Sequence, residues 1–250
     1  MKKGAFSGLL YREWVLIKKP LIITTITSLS TIILAFLVVL SFRCGNLALL
    51  DEKLKAAVFG DFAFVIKALP VLAVCILVSA PSDSAVIDTN IKWERFRRTT
   101  PASCIRLALA KYTILAMLTL LSAGGALGVM ALMCAAMNTA FTANDAAVSL
   151  VLLAAVVIFS VAMQVAVTYF KSSDKAGLTV AGVMFACLFP IIAANRDIIS
   201  ADNSAMSSME RLDILTKRFA DVLPAVPLVI AAALALGLLA TTMIYKRREK

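Results

Sequence analysis

The chain contains no histidine. The commonest general base and the commonest metal ligand are therefore both missing. Charge is scarce as well: 16% of the 250 residues are charged, against about 25% in soluble domains. With 61% hydrophobic residues and a mean hydropathy of +0.93, a soluble fold of this length would carry more apolar surface than its core could hold. The same content excludes a disordered chain, and 10 Gly with 7 Pro exclude collagen. Five cysteines fall at 44, 75, 104, 134 and 187, with no CxxC spacing, so neither a zinc site nor a redox pair is encoded. Cys75, Cys134 and Cys187 lie in apolar runs, where a thiol acts as a small hydrophobe. No GxxxxGK[ST], HExxH, GxSxG or GxGD pattern occurs, which leaves no nucleotide loop and no catalytic set for intramembrane proteolysis.

What the chain does have is long apolar runs. A bilayer core of about 30 Å takes about 20 apolar residues in helical form. Six stretches reach that length: 21–40, 62–80, 107–137, 146–170, 176–195 and 222–245. The third is expected to start as early as Ser103. Apart from Lys111, counted with the cytoplasmic bases before the third, the one charge among them is Lys67, close to one end of the second. The runs are continuous rather than alternating, so the expected class is all-α, a polytopic membrane protein with six spans and no barrel. The first run is too long for a cleaved signal and reads as a retained helix.

The net charge of +10 is explained by where the bases sit. With both termini cytoplasmic, 17 of the 25 basic residues and 6 of the 15 acidic ones fall inside. Positive loops face the cytoplasm, so the expected topology is N-in and C-in, and the charge does not signal nucleic-acid binding.

Four segments outside the spans carry information. In 1–19, Phe6, Leu9, Leu10, Trp14 and Ile17 share one helical face, which predicts an amphipathic elbow helix on the inner leaflet, ended by Pro20. Glu13 projects into its apolar sector. Either it snorkels on a rotated helix, or it pairs with a base of the next cytoplasmic loop. That loop, 81–106, holds Trp93 and Phe96 on one helical face among Lys92, Glu94, Arg95, Arg97 and Arg98, with Ser82 and Asp83 as candidate helix caps. Interfacial anchoring is one reading. The other is a docking helix that inserts aromatics into a cytosolic partner. Segment 196–221 repeats Met206, Met209, Leu212, Leu215 and Phe219 at helical spacing and reads as an outer amphipathic helix. Segment 43–61 is of mixed charge, and the tail 246–250 is basic.

Polar groups within the spans are few. Thr24, Thr27, Ser28 and Thr31 enrich the first, and Gln164 lies in the fourth. Hydroxyls can bond back to their own helix; the alternative is that these residues line a passage or a subunit seam. Gly124 and Gly128 form a GxxxG in the third span, a pattern of close helix packing.

The loop sequence Asp88…Lys92-Trp93-Glu94…Phe96…Thr100-Pro101-Ala102-Ser103…Lys111-Tyr112, with the elbow and six spans around it, resembles the membrane subunits of ABC-2 type (type V) ABC transporters. It is similar to the small bacterial permeases, such as those of the phenol-soluble modulin exporters. The resemblance implies a plasma-membrane half-transporter that pairs with a second permease subunit, identical or paralogous, and docks a separate cytosolic ATPase. That partner would bind the ATP and Mg; this chain would hold no cofactor and would not itself be an enzyme. Lys92, Trp93, Glu94, Arg95 and Phe96 would couple the two, with Glu13 and Trp14 of the elbow beside them. The implied cargo is a hydrophobic or amphipathic peptide. The competing readings are a non-transporting immunity or sensor subunit, and a membrane enzyme, which would need acids clustered at one interface.

Overall fold

In the computed structural model, residues 4–44, 63–90, 103–194, 217 and 221–249 are described. Every regular element among them is helical: α1 (Gly4–Cys44), α2 (Ala63–Cys75), α3 (Ala80–Asn90), α4 (Cys104–Ala136), α5 (Ala143–Phe170), α6 (Ser173–Ala194) and α7 (Val226–Glu249). Five segments are long and apolar enough to cross a membrane: Phe6–Ser41, Ala63–Thr89, Cys104–Ala136, Ala143–Phe170 and Leu223–Arg247. The all-helical class and the membrane-compatible helices thus agree with the sequence. The expected fifth span, 176–195, falls on α6, which is not one of these five.

The core is built where α2, α4 and α5 meet. Val71 and Cys75 of α2, Leu115 and Met130 of α4, and Leu153 and Val157 of α5 are buried together. On one side α1 packs against α2, α3 and α4; on the other, α7 lies against α4 and α5, and α6 leans on α5. The α5–α7 contact is close because of Gly237. A methyl group there would stand 2.5 Å from Val161 Cγ1 and 2.6 Å from Tyr112 Oη, so only glycine lets the helices approach this far. Beside it, the Tyr112 and Thr241 hydroxyls share a hydrogen bond of 3.2 Å.

Short connections make neighbours antiparallel. Asn138, at φ 53°, ends α4, and the Thr139 amide donates to the Cys134 carbonyl at 2.9 Å, a left-handed cap suited to Asn. Thr142 and Asp145 then form a reciprocal capping box at the start of α5, the arrangement that satisfies two otherwise orphaned amides.

Two expectations about helix ends need correction. Pro20 does not separate an elbow from the first span: α1 is one helix of 41 residues with Pro20 inside it. Proline removes one backbone bond, but Leu10 and Ile17 before it and Leu21 after it pack on the same patch, Ile114 and Leu118 of α4. That shared seat holds both halves in line. Ser82 and Asp83 do not cap a new helix after the second span. The helix runs on from α2 into α3 through a 3-10 turn, Ile76–Ser79. The turn has a local cause: Pro81 has no amide to offer the Leu77 carbonyl, and the Ala80 amide takes its place in the tighter i→i+3 pattern. Ser103 does stand at the N-cap of α4, but its side chain makes no capping bond. The GxxxG glycines are also placed unexpectedly. Among the described residues, nothing beyond the helix's own backbone comes within 4 Å of a methyl group added at Gly124 or Gly128, so none of the described helix contacts depends on them.

Candidate functional site: a buried ring of four charges

Glu13 is the residue whose place in the sequence is hardest to explain, and the structure gives it partners. The buried stripe of α1 runs through Leu9, Leu10, Glu13 and Ile17, while Trp14 is turned outward. The elbow residues singled out in the sequence therefore point in different directions. Glu13 lies between two cations. Its Oε1 accepts from Arg12 Nη1 at 2.6 Å, and its Oε2 lies 3.4 Å from Lys111 Nζ on α4.

Asp88, on α3, has the same pair of partners. Its Oδ1 accepts from Arg12 Nη2, and its Oδ2 accepts from Lys111 Nζ at 2.6 Å. Each carboxylate thus bridges both cations and each cation bridges both carboxylates, a closed ring of alternating sign. Lys111 also reaches Ser84 Oγ at 3.5 Å. Side-chain exposure is 20% for Arg12, 2% for Glu13, 13% for Asp88 and 4% for Lys111. Buried charges survive only when paired and hydrogen-bonded, and here the four sum to zero.

The ring fastens three elements that are far apart in sequence. Leu9, Cys104, Leu107, Ala108 and Tyr245 pack together beside it, so both described ends of the chain lie at this end of the bundle. The sequence offered a signal for Glu13 but counted Arg12 and Lys111 as topogenic bases. Asp88 was singled out only as part of a resemblance. Neither carboxylate is open for general-base work, because each is held between two cations. Among the described residues, no three His, Cys, Asp or Glu converge on a possible metal position.

Residues 92–96, expected to couple to an ATPase, lie outside the described residues, as does the outer segment 196–221 apart from Lys217 and Asp221. The ring nevertheless brackets residues 91–102, with Asp88 just before them and Lys111 about two turns into the helix that follows.

The polar residues of the first span come together. Thr24, Thr27, Ser28 and Thr31 line a groove of about 240 Å³ with Leu69, Leu72, Ala73 and Ile76 of the neighbouring α2 segment. Their hydroxyls are mostly spent on their own helix: Thr24 donates to Pro20 O, Thr27 to Ile23 O and Thr31 to Thr27 O. Ser28 differs, donating across the seam to Ala73 O at 2.5 Å. Gln164 is elsewhere, buried on α5, and among the described residues neither the oxygen nor the nitrogen of its amide has a hydrogen-bond partner.

Comparison with protein-family models, with curated proteins and with solved structures gives no match.

Proposed function

We propose that the chain is the membrane subunit of an ATP-driven exporter in the bacterial plasma membrane. In this reading a separate cytosolic ATPase docks on residues 92–96, through Trp93 and Phe96 with Lys92, Glu94 and Arg95 around them. The observation that carries the proposal is the charge ring. A force applied to a loop is dissipated unless its ends are stiffly joined to what must move. Here the two ends of 91–102 are tied to each other by Asp88 and Lys111, and both to α1 through Arg12 and Glu13. Motion of the loop would reach three helices at once.

The proposal includes six crossings with both termini cytoplasmic. Val167, near the end of α5, packs against Ala85 of α3, at the same end as the ring, and α7 finishes there too at Tyr245. In this reading the chain returns to the far end between α5 and α7. The 22 residues of α6, at about 1.5 Å each, span about 33 Å, enough for that return. The cargo in this reading is a hydrophobic or amphipathic peptide moving by way of the α1–α2 groove, and a second permease subunit completes the assembly. ATP and Mg belong to the partner.

The test is co-purification. The detergent-solubilised chain would be co-expressed with ATPases encoded beside it, comparing wild type with a Trp93→Ala, Phe96→Ala pair. An ATPase retained by wild type and lost from the double variant supports exporter and docking residues together. Equal retention by both removes the docking residues. Failure of any ATPase to bind wild type overturns the exporter and favours a peptide-binding immunity or sensor subunit.

A further inference from the structure

A second, smaller set of charges lies at the other end of the bundle. Lys67 on α2 and Asp145 at the start of α5 face each other at 3.8 Å. Met130 of α4, which borders the same space, is 19 residues beyond Lys111, or about 29 Å along the helix. The two charges open onto a cavity of about 330 Å³, walled also by Phe64, Thr142 and Asn144. That volume is at the lower end of the roughly 300–1,000 Å³ typical of small-molecule sites.

The two charges are only loosely paired. A separation of 3.8 Å is beyond hydrogen-bond reach, and among the described residues no acceptor is within that reach of the Lys67 ammonium. Yet its side chain is only 15% exposed. The ammonium itself is open to the cavity, with three donors that an entering ligand can take. Asp145 is divided in its duties. Its Oδ2 accepts from the Thr142 amide at 3.0 Å and the Thr142 hydroxyl at 2.6 Å. Its Oδ1 is the oxygen turned toward Lys67, and it retains lone pairs for a further donor.

The pair is neutral as it stands, and this restricts what can enter. A lone anion would leave the site with an unbalanced negative charge, and a lone cation with a positive one. A zwitterion of matching size leaves it neutral. Its anion takes the donors of Lys67, and its ammonium takes the open oxygen of Asp145. Phe64, Met130 and Val148 give a short alkyl link an apolar wall. Val65 and Leu69, on the outward face of the same helix, are exposed, so acyl chains would find apolar surface beside the cavity.

We infer that this cavity binds a zwitterion that pairs a primary ammonium with a phosphate, the chemistry of an aminoethyl phosphate group, whether on a lipid or free. The inference stands whether or not the chain docks an ATPase.

The experiment is native mass spectrometry of the full chain released from detergent in the presence of one lipid at a time: phosphatidylethanolamine, phosphatidylcholine or phosphatidylglycerol. The expected order puts phosphatidylethanolamine first. The trimethylammonium of phosphatidylcholine has no N–H for Asp145, and phosphatidylglycerol has no ammonium. Lys67→Gln and Asp145→Asn are each expected to weaken retention about tenfold, the loss of one charge-assisted hydrogen bond, while Lys67→Arg retains the lipid. Soluble glycerophosphoethanolamine that displaces the lipid shows that the polar group alone is recognised. Lipid that is retained against it assigns the source to the membrane. Equal retention of all three lipids overturns the inference. So does retention of phosphatidylglycerol over phosphatidylethanolamine, which would make this an anion site. If Asp145→Asn fails to fold, because Asp145 also caps α5, the lipid order in wild type and the Lys67→Gln variant decide.

Discussion

Replacing Lys111 with methionine keeps an unbranched side chain one atom shorter and removes its charge. The ring then holds two carboxylates and one guanidinium, an excess negative charge in a site where Glu13 and Lys111 are almost fully enclosed. Removing one partner of a buried pair costs about 3–5 kcal/mol. Both carboxylates keep Arg12, whose side chain is 20% exposed, so the lower end applies, about 3 kcal/mol. At about 2–4 °C per kcal/mol for a chain of this size, the unfolding midpoint falls by about 6–12 °C. Intrinsic fluorescence during a thermal ramp of the solubilised protein reads this directly. Restoring neutrality is the sharper measure. The double variant Glu13→Gln, Lys111→Met leaves Arg12 facing Asp88, and should be more stable than the sum of the single losses by about 1–2 kcal/mol, a coupling expected of groups in one network. Because the pairs are buried, the losses should persist in about 1 M salt, where surface pairs are screened. A Lys111→Met shift below about 2 °C, which is under 1 kcal/mol on the same scale, would refute the ring. Strict additivity in the double variant would do the same.

Three further outcomes follow from packing and hydrogen bonding. Gly237→Ala puts a methyl group against Val161 and Tyr112 and should cost about 1–3 kcal/mol by overpacking, while Gly124→Ala, with nothing near it, should leave the midpoint unchanged or slightly raised. Ser28→Ala removes the bond to Ala73 O and should lower stability by about 1–2 kcal/mol; Thr27→Val, whose hydroxyl serves its own helix, should do much less, and a larger loss from Thr27→Val would contradict this order in the same thermal ramp. Gln164→Met replaces a buried amide that has no partner among the described residues by an apolar side chain of similar size and should raise the midpoint, with a stability gain of about 1–3 kcal/mol if the whole desolvation penalty is recovered. A fall there would mean that the amide has a partner in the working protein.

The membrane-compatible helices were legible because hydrophobic length depends on composition alone. The runs near 62–80, 107–137, 146–170 and 222–245 each fall on a helical segment long and apolar enough to cross a membrane. Helix ends were less legible, because proline was read by its local effect. At Pro20 the tertiary seat on Ile114 and Leu118 outweighs one missing backbone bond. At Ser82 and Asp83, where a new helix cap was expected, the chain instead continues through a 3-10 turn before Pro81. The charge ring was the hardest to see. Arg12 and Asp88 are 76 residues apart, and no periodicity connects them. A charged residue in an apolar sector, as at Glu13, announces that a partner exists but not where it is. Gln164 could be named from sequence as an intramembrane polar group. That it lies apart from the Thr24–Thr31 groove depends on helix rotation, which one chain does not reveal.

The ring also bears on the order in which the protein can be made. It is composed of two pairs that are each neutral. Arg12 and Glu13 are adjacent and bonded at 2.6 Å; Asp88 and Lys111 belong to consecutive helices and are also bonded at 2.6 Å. The first pair leaves the ribosome long before the second exists, several seconds at about 5–20 residues per second. During that wait Arg12 can shield Glu13, and no isolated charge has to enter an apolar environment. Later α3 and α4 can meet with their own pair already closed. Docking then joins two dipoles rather than four ions, so the nascent chain never has to bury an uncompensated charge on the way to the finished bundle.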